Sequence, residues 1–229
     1  MKFDIKRTAA IFAACLMIIS VTACGKKKAA ADYESETVIG SASENAAVIA
    51  ELSEKITALT VDSIEMPTFS DMQTAISLCR DSVLNYLLTT KYSRFSGNTS
   101  VLQKAAKEYA SLNITAAVGT TDFEGELYNL FNHGGNIRHS DTERFRYMPK
   151  IEAYIPAVQT QACTYSIDIV SVDETEHTYR MSFYCTRGED VSPEYLAVFV
   201  KRDAGGTYIK SLSQTAGEKV NCRLTATIS

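Results

Sequence analysis

The chain has 229 residues, of which 45% are hydrophobic and 22% charged, with 11 Gly and 4 Pro. This is the composition of a folded domain, and it excludes low-complexity, collagen-like and polytopic membrane proteins. A formal charge of −4 gives no general affinity for nucleic acid, and six Cys are too few to staple a chain of this length into a small disulfide scaffold.

Residues 1–23 have the layout of an export signal. Lys2, Lys6 and Arg7 precede the apolar run AAIFAACLMII, and Ser20, Val21, Thr22 and Ala23 lead to Cys24. Eleven apolar residues are too few for a spanning helix, which needs roughly 20. The tetrapeptide VTAC resembles the lipobox of bacterial lipoproteins, in which small residues precede an obligate Cys. That resemblance implies a diacylglyceryl group on Cys24, which becomes the mature N-terminus on the extracytoplasmic face of the cell membrane. Two acyl chains suffice for stable anchoring, whereas one does not. Removing residues 1–23 leaves 20 basic against 26 acidic residues. Of these, Lys26, Lys27 and Lys28 would sit beside the lipid and face anionic headgroups, over a body of net charge −9.

Residues 29–42 are small, acidic and aperiodic, which predicts a tether. From Ser43, a plausible N-cap, the apolar residues Ala47, Val48, Leu52, Ile56 and Leu59 recur at helical spacing as far as Met66-Pro67. A stronger helix follows, capped by Ser70 and carrying Met72, Ile76, Cys79, Val83, Tyr86 and Leu87 on one stripe to about residue 92. A third helix, capped by Asn98 or Thr99, runs to about Leu112 with Leu102, Ala105, Ala106 and Tyr109 inward. After the β-like piece NITAAV a fourth runs from about Phe123 to Asn132, stopped by Gly134-Gly135.

From residue 143 the period becomes two. The strands expected are ERFRYM, IEAYI, CTYSIDIVSV, TYRMSFYC, the hairpin YLAVFVKR/TYIKSL through Asp203, Ala204, Gly205 and Gly206, and VNCRLTATI over residues 219–228. Helices followed by antiparallel strands predict an α+β fold with the N-terminal helices packed on one face of a curved antiparallel sheet. The expected organisation is a signal segment over 1–23, a lipidated tether over 24–42, an amphipathic helical extension over 43–66 and an α+β domain over 67–229.

The helix SDMQTAISLCRDSVLNYLL, the short helix VLQKAAKEYA and the closing hairpin LAVFVKRDAGGTYIKSL resemble the nuclear transport factor 2-like, cystatin-like cone superfamily over about residues 69–213. Tyr208 stands where Trp is common in that superfamily. The helix before residue 67 and the strand after residue 218 depart from its pattern. The resemblance implies a cone with a space between long helix and sheet, lined by Tyr86, Tyr109, Phe123, Tyr165, Tyr179 and Phe183. The alternative is that these aromatics are simply core.

No motif names a reaction. The three His, at 133, 139 and 177, form no helical His–Glu–His zinc pattern, and no GxSxG is present. HGGNIRHSDTE offers His133 and His139 with Asp141 and Glu143 as a His/carboxylate loop, weighed against a solvated helix-to-strand connection. No cofactor, metal or catalytic set is expected. Among the Cys, no CxxC occurs. If the hairpin turns about Glu174, Cys163 faces Cys185 in register with the pairs Tyr165/Phe183, Ile167/Met181 and Ile169/Tyr179. The two are then either a cross-strand disulfide or small buried hydrophobes, while Cys79 and Cys222 read as core. The functional expectation is a membrane-anchored extracytoplasmic lipoprotein with a non-catalytic binding or scaffold domain. Its partners would be the membrane, through Cys24, and an envelope protein or small ligand. The alternative is a lipoprotein that uses the cone pocket for small-molecule binding or catalysis.

Overall fold

The computed structural model describes residues 42–60, 65–92, 98–160 and 165–215, all within a compact unit that spans Glu36–Ser229. The fold is α+β: helices precede antiparallel strands, and the sheet is curved and unclosed. Helix α1 (Ala42–Thr57) exposes Ala46, Ala47, Ile49 and Ala50 but buries Leu52 and Ile56 completely. It ends at Thr57, well before Met66-Pro67. The chain there tightens into i→i−3 bonds, Leu59 N to Ile56 O (2.9 Å) and Thr60 N to Thr57 O (3.2 Å), as helix ends commonly do. Leu52, Ile56, Ala58 and Leu59 share one core with residues of later helices and strands, among them Val83, Leu127, Tyr154, Phe183, Phe199 and Leu212, so α1 is packed into the body of the protein.

Helix α2 (Met72–Tyr86) is capped by Asp71 and not by Ser70. The Asp71 carboxylate accepts from Thr74 N (2.9 Å) and from Thr74 Oγ1 (2.8 Å), two bonds that a serine hydroxyl could not match, and they hold the carboxyl below its usual range. Of the expected stripe, Ile76, Cys79, Val83, Tyr86 and Leu87 are buried, whereas Met72, in the first turn, is exposed. The helix widens into a π turn over Leu87–Lys91. Helix α3 (Thr99–Glu108), capped by Asn98, buries Val101 and Ala105, while Ala106 points outward. Helix α4 (Thr120–Phe131) follows strand β1 (Val118–Gly119) and ends at Asn132 in the left-handed conformation (φ 57°). Asn tolerates that region through local hydrogen bonding, so the stop comes before Gly134-Gly135.

The strands divide into two antiparallel sheets. Strand β2 (Phe145–Met148), a 3₁₀ turn at Pro149–Ile151 and β3 (Ala153–Pro156) join β1 in the order β1-β3-β2. Strands β4 (Ser166–Glu174), β5 (Thr178–Arg187), β7 (Tyr195–Lys201) and β8 (Thr207–Gln214) form the main sheet in that order, with the short β6 (Asp190–Val191) beside β5. The β7–β8 hairpin turns where the sequence placed it, with Gly205 (φ 92°) and Gly206 (φ 75°) in a backbone region closed to most residues. The strand expected at 219–228 lies outside the described residues.

The β4–β5 register differs from the sequence expectation. Ile167 stands opposite Cys185 and Ile169 opposite Phe183; after a bulge at Val170, Val172 stands opposite Met181 and Glu174 opposite Tyr179. The cause is the turn, which is centred on Glu176-His177 and not on Glu174. Thr175 N donates to Thr178 O (2.8 Å), and Thr178 N donates to Thr175 Oγ1 (3.0 Å), which closes a tight four-residue turn. Cys185 therefore faces Ile167 across the ladder. The partner expected for it, Cys163, lies outside the described residues, as does Cys222.

The inward faces of β5 (Met181, Phe183, Cys185), β7 (Tyr195, Ala197, Phe199) and β8 (Ile209, Leu212) join Ile76, Cys79, Val83, Leu127, Leu130 and Phe131 in one core. Phe69 pairs with Leu212 at the β8 edge and meets the Phe131 ring edge-on at 5.7 Å. Polar contacts fix α1 over this core. Lys55, only 5% exposed, donates to Asn129 Oδ1 (2.9 Å) on α4, and Glu51 accepts from Thr207 N (2.9 Å) and Thr207 Oγ1 (2.8 Å) on β8. Leu52→Ala should lower the unfolding free energy by about 2–5 kcal/mol in urea titration, as core truncations do and as truncation in a loosely docked extension would not. Burial pushes the Cys79 thiol up to about 12. Thiol titration should find it unreactive in the folded protein at neutral pH and reactive only in denaturant.

Candidate functional site

Two places follow from the sequence, the space between helix and sheet and the histidine loop. The space is filled. Tyr86 is 5% exposed, and Phe123 and Phe183 are fully buried in the main core. Phe123 meets the Tyr154 ring edge-on at 5.3 Å, and Phe183 lies at 5.8 Å from the Tyr195 ring. The Tyr86 hydroxyl is spent on Glu54 Oε1 (2.9 Å), and burial with that carboxylate beside it drives its pKa up. The other three aromatics expected around a pocket do not gather with these. Tyr109 packs in a smaller cluster under α3 with Val101, Ala105 and Ile151. Half-buried Tyr179 carries Lys201 over its ring at 4.5 Å, and half-buried Tyr165 carries Arg187 at 5.0 Å. Among the described residues, Tyr86, Phe123 and Phe183 lie in the main core, while Tyr109, Tyr165 and Tyr179 lie at its margins.

The histidine loop is more ordered than its composition suggests. His139 is engaged at both ring nitrogens, Nδ1 with the Tyr154 hydroxyl (2.9 Å) and Nε2 with Glu124 Oε1 (2.9 Å). Tyr154, fully buried on β3, also accepts from the Arg80 guanidinium (2.8 Å) on α2. One proton inventory links all four groups, although among the described residues no partner meets the buried Arg80 Nε. Arg80 donates to the Tyr154 oxygen, the Tyr154 hydroxyl donates to Nδ1, and the Nε2–H donates to the Glu124 carboxylate. The imidazole also stacks on Tyr147 of β2 at 5.3 Å. Desolvation pushes the Tyr154 phenol above its usual pKa, and Arg80 opposes that shift in part. Tyr154 is thus held as a neutral phenol that relays hydrogen bonds.

The carboxylates expected to serve the histidines are used elsewhere. Asp141 Oδ1 accepts from Tyr147 N (2.8 Å), Glu143 is exposed, and His133 takes no part in these bonds. Asp81 of α2 accepts from the Thr142 hydroxyl, which anchors the same loop a second time. The sequence reading missed Arg80, Glu124 and Tyr154. Each comes from a different element, and no spacing in the chain marks them as neighbours.

Compared with protein-family models, curated proteins and solved structures, the chain matches none.

Chemically, the arrangement is a latch. The His139 side chain is 16% exposed and hydrogen-bonded at both ring nitrogens, so the imidazole pins the loop after α4 to α2, α4 and β3. Among the described residues no group of three or more His, Cys, Asp or Glu is placed to hold a metal ion. Removing the central hydroxyl should release both neighbours at once. Tyr154→Phe should cost about 1–3 kcal/mol in urea unfolding, because it leaves buried donors and acceptors unmet. Glu124→Gln, at a site whose side chain is 45% exposed, should cost less.

Proposed function

We propose that this protein is a membrane-anchored extracytoplasmic lipoprotein whose body is a non-catalytic binding or scaffold domain of the nuclear transport factor 2-like kind. Four features support the reading. VTAC, which ends in Cys24, has the form of a lipobox, the apolar run before it is short, and Lys26, Lys27 and Lys28 follow after Gly25. The order of helices and antiparallel strands is the one the resemblance implies.

The observation that carries the non-catalytic part is the filled helix–sheet space. Tyr86, Phe123 and Phe183, which would line a cone pocket, are packed among Met181, Tyr195 and Leu127 with at most 5% of their surface exposed. An enzyme or solute receptor of this shape needs that space open to seat a ligand. With the interior closed and the His139 ring consumed by the latch, recognition falls to the outer surface.

The test is metabolic labelling with a radioactive fatty acid in the native host, followed by detergent phase partitioning. The wild-type chain should carry label and enter the detergent phase, and Cys24→Ala should lose the label. An unlabelled wild-type chain, or label retained by Cys24→Ala, overturns the reading.

A further inference from the structure

A groove of about 320 Å³ opens where the three-stranded sheet comes apart, between residues 112–116 on one side and Arg146, Ile155 and Pro156 on the other. Its origin is legible in the ladder. Thr120 N donates to Glu152 O (2.8 Å), and Val118 and Gly119 pair with Tyr154 and Ala153. On β3 the peptide groups of Glu152, Tyr154 and Pro156 therefore face β1, while those of Ala153 and Ile155 face β2. The bond from Ala157 N to Arg144 O (2.8 Å) on the β2 side fits the same alternation.

The next rung toward β1 would join Pro156 to Ala116, and proline has no N–H to give. The ladder stops there, and the chain leading into β1 splays away. Among the described residues no hydrogen bond meets the peptide N–H of Ile114 or Ala116. The walls are apolar at Leu112, Ile114, Ile155 and Pro156. Arg146 stands directly opposite Ile155, one residue beyond the last closed rung at Tyr154. Among the described residues no carboxylate pairs with it.

We propose that this groove captures the free C-terminal end of an extended polypeptide. The backbone of the guest pairs with Ile114 and Ala116 as an added strand, its last side chain lies on Ile155 and Pro156, and its terminal carboxylate meets Arg146. The wedge closes at the Val118–Tyr154 rung, so a chain cannot run through it and must end there. An unpaired guanidinium at that closed end selects the carboxyl terminus over the amino terminus. The volume is at the small end of ligand-sized sites, which run from roughly 300 Å³ upward, and suits only the last few residues of a chain.

The proposal rests on the reading of the body as a binding domain. It is tested by fluorescence anisotropy on the full chain in detergent micelles. The probe is a pool of fluorescein-labelled hexapeptides of random sequence, prepared once as free acids and once as C-terminal amides. The acids should bind, the amides should bind roughly tenfold or more weakly, and Arg146→Gln should bring the acids down to the level of the amides. Arg146 is exposed, so the variant should keep the wild-type melting temperature. A melting temperature lowered in Arg146→Gln, equal binding of acids and amides, a preference that survives Arg146→Gln, or no binding of either pool each overturns the proposal. None of these outcomes touches the lipidation readout at Cys24, so the anchored-lipoprotein reading stands or falls separately.

Discussion

The ammonium of Lys55 is the constraint on which the arrangement of the helices depends. At 5% exposure it has given up nearly all its water, and the burial lowers its pKa, with Glu51 opposing the shift. A buried charge that lacks partners costs several kcal/mol, so acceptors must be brought to it. Asn129 supplies Oδ1 at 2.9 Å and its carbonyl at 3.3 Å. Asn129 is held by donating to Glu126 Oε1 (3.1 Å), and Glu126 is met by Lys91 (2.5 Å) from the π turn after α2. Arg202 then covers the same helix end, donating to Tyr128 O (2.6 Å) and Asn129 O (3.1 Å). One lysine thus obliges α1, α2, α4 and the β7–β8 turn to keep a single relative placement, and the apolar contacts of Leu52 and Ile56 are fixed as a result.

Paired polar groups also order the histidine loop. His139 has spent one nitrogen on Tyr154 and the other on Glu124, with Arg80 completing the chain behind them. Tyr86, Phe123 and Phe183 are likewise packed into the main core. The splayed end of the small sheet brings apolar walls and the Arg146 guanidinium into one groove, where among the described residues no partner meets the Ile114 and Ala116 peptide N–H groups.

The fold class was legible because it rests on periodicity. The shift from 3.6 to 2 near residue 143 marks the passage from α4 to β2, and the glycine pair at 205 and 206 marks its hairpin. Details governed by competition between near-equal local options were not legible. Asp71 outbid Ser70 as a cap because a carboxylate accepts two bonds, Asn132 stopped α4 before the glycines, and a threonine-closed turn set Ile167 opposite Cys185. The division into two sheets was hidden because Pro149 and the short turn after it look like an interruption within one strand run. The His139 latch was out of reach for another reason: Arg80, Glu124, His139 and Tyr154 become neighbours only through tertiary packing.

Strand β4 is an edge of the main sheet among the described residues, and edges are where β proteins stick to one another. Its bulge at Val170 breaks the flat run of peptide groups that a second chain would need, and Asp168 and Asp173 add exposed carboxylates along it. Two copies brought side by side by this edge would meet a kinked strand carrying Asp168 and Asp173. The edge thus denies a second chain the flat run of peptide groups it would need to extend the sheet.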